Sequence, residues 1–484
     1  MKTLKMMAII VAIALWLSAS PAEFSKNEDA MNDYDPLVDV SITLEFIALR
    51  ALDEIDGNEP DFFLKVFIDG EEYTSPVWRN ERYIYNFWNV SRNVDDDKEI
   101  VEIEIQLFEL GENGSVLCDI GRENDSLHLK YSIKTGRWSG DDFIGDASGY
   151  GRANGCDDGS IYVNERDCEL YFNIYQNDFD GDGIPYWMEV NEYGINPTIN
   201  DGSMDYDNDG LPTSWEWKWG FNPFKYENHY VLDHDNDSIT NFEEYLMSSD
   251  PFRKDVFLEI DYMDNGEGCV VTNKAIEMLK NPFHRRNIIF HVEIDESIPF
   301  DSFTSQQEVL EIYKNHFLNN ESESLKRSIF HYGVFVNDCF PTGYSFAGDG
   351  PAFWGYGPGT NSFVVSISQM KKYDRFRPDI PLDYFIASVI MHEMGHNFGI
   401  RFGNPPGCDN QFSKYPWQLG YYIYRNYKSI MNYRYTYKIL DYSDGSHGKR
   451  DFNDWAHINL SLSLIHISEP TRPLYISYAV FCLK

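Results

Sequence analysis

Residues 35–176 alternate apolar and polar positions in short runs: VSITLEF, DFFLKVFI, EIVEIEIQLFEL and ELYFNIYQ. Clusters of Gly, Asn and Asp separate the runs. A period of two over such lengths marks a strand with one face in a core, so this region is expected to form an antiparallel β-sandwich. Beyond residue 255 the pattern changes. VFLEIDYM, NIIFHVEI, HYGVFV and SFVVSIS are strand-like, while residues 271–280 and 304–318 are helical candidates. Residues 256–461 are therefore expected to be α/β. Residues 343–359, rich in Gly and aromatics, are expected to form an edge loop. Pro381 then opens a helix that runs through LDYFIASVIMHEMGHNFG.

Residues 177–255 follow neither pattern. They hold an internal repeat, DFDGDGIPYWME from Asp178, DYDNDGLPTSWE from Asp205 and DHDNDSITNFEE from Asp233. Each places acids at positions 1, 3, 5 and 12. The first set is Asp178, Asp180, Asp182 and Glu189. The second is Asp205, Asp207, Asp209 and Glu216. The third is Asp233, Asp235, Asp237 and Glu244. Calcium takes six or more oxygens, and this spacing converges three short carboxylates with one longer one. Gly183 and Gly210 stand at position 6, where a sharp turn needs positive φ; the third loop has Ser238 there and is expected to bind more weakly. The apolar residue at position 7 (Ile184, Leu211, Ile239) separates these loops from EF-hands. The block resembles bacterial thrombospondin type 3 repeats, which implies calcium as cofactor.

Within the 381 helix, His392 and His396 lie four apart, so both imidazoles leave one face toward one point. Two histidines in that relation suit a tetrahedral zinc, and Glu393 beside them can take a proton from a water on the metal. Gly399 lets the chain leave the helix abruptly. A second motif follows, Ser429-Ile430-Met431-Asn432-Tyr433. HEMGHNFG together with this turn resembles the metzincin metalloproteases. The resemblance covers roughly residues 255–461. It implies a metzincin-like fold, Met431 under a zinc, Glu393 as general base, and Tyr433 as donor to the oxyanion. The expected fold class is thus multidomain: an N-terminal antiparallel β-sandwich, calcium-loop repeats, and a C-terminal α/β (α+β) metzincin-like protease domain.

One position departs from the metzincin pattern. Phe402 stands where the third zinc ligand belongs, and a phenyl ring cannot bind metal. The following GNPPGCDN is a turn-rich loop able to return a ligand. Asp409 is the first candidate, a carboxylate after the permissive Gly407. Cys408 and His447 are the others. The mechanism expected with His392, His396 and Asp409 as ligands is peptide hydrolysis by metal-activated water.

The acidic clusters Asp53-Glu54-Asp56 and Asp95-Asp96-Asp97 read first as solvated turns and second as calcium loops like those of C2 domains. Residues 1–22 have the form of a signal peptide, with Lys2 and Lys5 before an apolar stretch of about twelve residues and small residues at a cleavage point. The protein is expected to be secreted, with disulfides permitted. Residues 462–484 read as the translation of a sequencing adapter, and the natural chain is expected to continue differently beyond residue 461. Removing Cys482 with that tail leaves Cys118, Cys156, Cys168, Cys269, Cys339 and Cys408, of which Cys156 and Cys168 are the expected pair. The formal net charge of −38 argues against nucleic acid and anionic membranes as partners.

The expected function is a secreted, calcium-stabilised zinc endopeptidase acting on extracellular proteins or peptides. A degenerate, inactive cell-surface calcium-binding or adhesion protein is the alternative, and a zinc hydrolase of non-peptide substrates is a third reading.

Overall fold

The computed structural model describes residues 33–460, apart from 56–58, 112–113, 143–150, 265, 267, 320–325, 340–342, 347–360, 377–378, 402 and 410. The signal segment, the adapter-like tail, Asp56, most of the edge loop and Phe402 lie outside the described residues. The chain divides into two compact units. The first comprises Met1–His234, Thr240–Phe252 and His284–Asn287; the second comprises Asp235–Ile239, Arg253–Phe283 and Ile288–Lys484.

Among the described residues of the first unit, ten strands form two antiparallel sheets: β1 (Ser41–Ala51), β2 (Phe62–Ile68), β3 (Glu71–Thr74), β4 (Tyr83–Asn93), β5 (Ile100–Gly111), β6 (Gly114–Leu117), β7 (Leu127–Ser132), β8 (Arg137–Gly140), β9 (Gly151–Asn154) and β10 (Cys168–Gln176). One sheet runs β4-β1-β10-β9; the other runs β3-β2-β5-β7-β8 with β6 on β5. The alternation seen in the sequence is the alternation of burial. Ile42, Leu44 and Phe46 of β1 face inward, as do Val101, Ile103, Ile105 and Leu107 of β5. A bulge between Phe46 and Ala48 inserts Ile47 and resets the parity, so Leu49 again points inward.

The acidic clusters hold backbone amides, and Asp53 is buried rather than solvated. Asp53 Oδ2 accepts from the Glu165 amide at 2.9 Å, and Asp96 Oδ1 accepts from the Val40 amide at 3.1 Å. The expected disulfide is not there. Cys156 and Cys168 are both free thiols; the Cys156 thiol donates to Asp167 Oδ2 at 3.2 Å. Cys168 instead points into the sandwich core beside Cys118, because strand alternation turns its side chain inward.

The repeats carry short helices, among them α1 (Thr213–Trp219) and α2 (Asn241–Met247), the latter with a Thr240/Glu243 capping box. The first two repeats belong to the same unit as the sandwich. Gly136, in the β7–β8 turn, has no room for a Cβ, which would lie 2.6 Å from Pro185 and 2.7 Å from Trp217.

The second unit is built on a five-stranded sheet, β12 (Ile289–Ile298), β11 (Asp255–Met263), β13 (Phe330–Val336), β15 (Ser362–Ser366) and β14 (Gly343–Phe346), in that spatial order. The first four are parallel and β14 is an antiparallel edge. Every residue of β13 and β15 is buried, which explains their largely apolar sequences. The helices of this part are α3 (Asn273–His284), α4 (Gln306–Ile312), α5 (Lys326–Ile329), α6 (Ile367–Phe376), α7 (Leu382–Asn397) and α8 (Leu419–Ile423). None of the described helices is long and apolar enough to cross a membrane.

Candidate metal centre

Helix α7 is buried almost all round, from Phe385 through Gly395. A helix with so little polar face is a core element, so histidines and a glutamate inside it stand out. The helix ends as the sequence indicated. Gly399 adopts φ 96°, and the Ile400 amide closes on Gly395 O at 3.0 Å.

The segment after the helix returns Asp409 to its face. Gly407 (φ 103°) and Asp409 (φ 58°) both use the left-handed region, and the Asp409 amide donates to Met431 O at 2.7 Å. This pairing with the 429–433 turn carries the carboxylate back. Asp409 Oδ1 lies 3.0 Å from His392 Nε2 and 3.3 Å from His396 Nε2. On their far sides the two rings meet carbonyls: His392 Nδ1 is 3.0 Å from Ile430 O, and His396 Nδ1 is 2.7 Å from Ile400 O. A carbonyl can only accept, so each Nδ1 carries its proton toward that oxygen. Such outer contacts orient metal-binding imidazoles and leave Nε2 facing the ion.

The electrostatics fit a cation. Burial would raise Asp409 and lower His396. Their mutual attraction outweighs both effects. It holds the Asp409 carboxyl well below the usual carboxylate range and lifts His396 to about 9, with Glu393 adding to the latter. Burial, then the charges of Asp409 and Glu393, push the Tyr433 phenol up, so it stays a hydrogen-bond donor. The Tyr433 ring lies 5.5 Å from that of His392. Met431 is fully buried beneath α7, where a Cβ on Gly395 would come within 2.3 Å of its sulfur.

The other ligand candidates are placed elsewhere. Cys408 is buried, with its thiol 3.7 Å from Asp409 Oδ2, and His447 pairs with Asp451 at 2.9 Å beside Asp444. Two imidazole nitrogens and one carboxylate oxygen make a donor set of the kind that suits zinc.

The acid loops are a second kind of candidate site. In the first, the Asp178 carboxylate accepts from the Gly181 and Gly183 amides, so the position-1 acid shapes the turn. Asp180 Oδ2, Asp182 Oδ2 and Glu189 Oε1 are buried without hydrogen-bond partners. Burial and the surrounding acids raise Asp182 to about 7 and Glu189 to about 9. The sequence reading missed a further acid, Asp201. Its Oδ1 is also buried and unpartnered, and its charge acts on Asp182 and Glu189. The signal available was its position, 23 residues after Asp178. All donors of this loop are oxygens, the set that calcium takes.

In the second loop Asp205 plays the part of Asp178, accepting from the Asn208 and Gly210 amides at 2.7 and 3.0 Å. Asp209, Glu216 and His229 cluster together, with burial and then Asp209, Asp207 and Asp205 raising Glu216 to about 9. The sequence reading passed over His229. The boundary between the units runs through the third loop: Asp233 and Glu244 belong to the first, Asp235 and Asp237 to the second. Ser238 adopts φ 83° where the other loops have glycine. Position 4 is also left-handed in all three (Gly181, Asn208, Asn236), a requirement the acid spacing did not reveal. The position-7 residues Ile184, Leu211 and Ile239 are buried.

No protein-family model and no curated protein matches the sequence. Solved structures do match. A C2 domain is 12% identical over 28% of this chain and 98% of its own, with a TM-score of 0.20. A C2 domain of plant Extended Synaptotagmin 1 is 9% identical over 29% of this chain and 95% of its own, also at 0.20. Human GIVD cytosolic phospholipase A2 is 10% identical over 28% of this chain and 17% of its own, at 0.19. At these scores the likenesses carry no functional argument.

The expected fold class is nevertheless corrected. The neighbours are C2-type β-sandwiches, and none of those described is a metzincin-like protease domain. An HExxH helix and a methionine turn are local features, and they do not dictate strand order. The C-terminal unit is accordingly described by its own topology.

Proposed function

We propose that the second unit is a zinc-dependent peptide hydrolase acting on extracellular proteins, and that calcium stabilises the repeats beside the sandwich. The observation that carries the reading is the approach of Asp409 Oδ1 to both imidazoles, 3.0 and 3.3 Å away, on the helix that also bears Glu393. His392, His396 and Asp409 would hold the metal. When bound, zinc supplies Lewis acidity, lowering the pKa of a coordinated water to about 7 and polarising a carbonyl.

The chain's own groups do the rest. Glu393, almost fully buried one residue from His392, receives the proton of the attacking water and passes it to the leaving amine. Tyr433, a third exposed and held protonated, donates to the oxygen that gains charge as the carbonyl becomes tetrahedral. Met431 and Ile430 support the site from below, the latter through its carbonyl on His392. The approach of Asp409 favours an active site over a decayed scaffold, since an inert fold has no use for a carboxylate buried against two imidazoles.

The N-terminal signal-like segment supports export, and the net charge of −38 disfavours nucleic acid as substrate. The calcium part of the reading is supported by the buried, unpartnered oxygens of the acid loops.

The test is Glu393→Gln. The expected protein keeps its zinc and loses casein cleavage by at least about a hundredfold. Undiminished cleavage with bound zinc would remove Glu393 from the chemistry.

A further inference from the structure

The first two acid loops differ at one point of the fold. Where the first is completed by Asp201, the second meets the imidazole of His229. His229 and Glu216 are both fully buried. Neither oxygen of Glu216 has a hydrogen-bond partner, and neither has His229 Nε2. Three buried donor atoms thus face one another without satisfying one another, a costly arrangement unless something sits among them.

The spacing suits a bound cation, and the nitrogen among the donors says which kind. His229 Nε2 lies 3.2 Å from Asp209 Oδ2, yet the two form no hydrogen bond. Ligand atoms about 2.0–2.2 Å from one ion stand roughly 3–3.5 Å apart in a tetrahedral shell. The separations in the His392 cluster, 3.0 and 3.3 Å, fall in the same range. The Asn241 carboxamide bridges the Nδ1 atoms of His229 and His234 at 2.9 and 3.0 Å. Asn241 Nδ2 faces His229 Nδ1 and its Oδ1 faces His234 Nδ1; metal binding through His229 Nε2 calls for the reversed amide, with Oδ1 accepting the Nδ1 proton.

The geometry points to a second transition-metal site, in which Asp209, Glu216 and His229 bind a borderline dication such as zinc in preference to calcium. Calcium is met by oxygen donors, whereas a mixed imidazole and carboxylate set suits zinc and its neighbours. The first loop, with Asp180, Asp182, Glu189 and Asp201, stays an all-oxygen calcium site. The inference refines the calcium reading of the repeats and is independent of the hydrolase reading.

The experiment measures zinc retained by the full chain after dialysis against roughly 10 mM calcium, well above the range of weak extracellular calcium modules. About two zinc ions per chain are expected, one at each mixed site. Glu216→Gln, which keeps the shape of the buried side chain, loses one zinc and keeps casein cleavage. His229→Gln does the same. Asp201→Asn weakens calcium binding and leaves the zinc count alone. Unchanged zinc in folded Glu216→Gln, or displacement of the second zinc by calcium, overturns the proposal. A single zinc lost in Glu216→Gln but kept in Asp409→Ala would support it while defeating the hydrolase reading.

Discussion

The first acid loop and the His392 cluster are built by opposite routes. In the loop, every proposed donor except Asp201 comes from twelve consecutive residues, and the turn that converges them is shaped by the loop's own Asp178 and two glycines. In the C-terminal unit, one helical turn supplies two imidazoles, but the carboxylate returns from a separate segment and is clamped by the Met431 carbonyl. A locally encoded site tolerates change elsewhere in the chain. A site closed by a distant segment depends on the packing that holds the segment in place.

The sharpest way to break this contrast is at Asp409. Asp409→Ala removes a direct ligand, so zinc affinity at this site is expected to fall by more than about a hundredfold, beyond what loss of an outer contact costs. Cleavage falls with it. His447→Ala serves as the control and leaves both unchanged. Metal content after dialysis, read beside casein turnover, decides. Full zinc in Asp409→Ala would mean that the site closes without the returning segment.

A middle-sized effect separates the loops by pH. Glu189 and Glu216 have folded pKa values of about 9, far above those of an exposed glutamate. The folded, metal-free block therefore binds protons that the unfolded chain releases. Its stability is full below the unfolded pKa near about 4.3 and is lost as pH rises toward about 9. In chelator, the melting temperature of the repeats should drop between about pH 5 and pH 9. Glu189→Gln should flatten part of that drop, and calcium should abolish the part that Glu189 contributes. A pH-independent transition in chelator would contradict the assignment.

The smallest effect probes the packing behind the helix. A Cβ on Gly395 would meet Met431 Sδ at 2.3 Å and a Tyr442 ring carbon at 2.9 Å. Gly395→Ala is expected to cost about 1–3 kcal/mol from overpacking, partly offset by roughly 1 kcal/mol of helix propensity. Calorimetry should show the second unit melting earlier and the first unmoved.

Much of this was legible along the chain because the signals are periodic. The sandwich strands, the parallel run of buried strands, helix α7 and the acid ladders all announce themselves by spacing. Cys156 and Cys168 misled because closeness in sequence does not settle which way a strand turns its side chains. The expected metzincin-like fold went wrong for a related reason, since short motifs do not dictate topology. Asp201 and His229 were missed because each lies more than twenty residues past the start of its loop, with no period to mark it.

By itself, then, the amino-acid order determined the local geometry: which stretches extend, where α7 starts and stops, that His392 and His396 share a face, and that three loops offer converging carboxylates. Those follow from backbone periods and turn preferences acting over a few residues. Only the tertiary structure decided the partners that come from afar, namely Asp409 against the two imidazoles, Asp201 at the first loop and His229 at the second. Burial is the reason. A charged or polar atom withdrawn from water must meet a complement, and which atom supplies it depends on how separate segments pack.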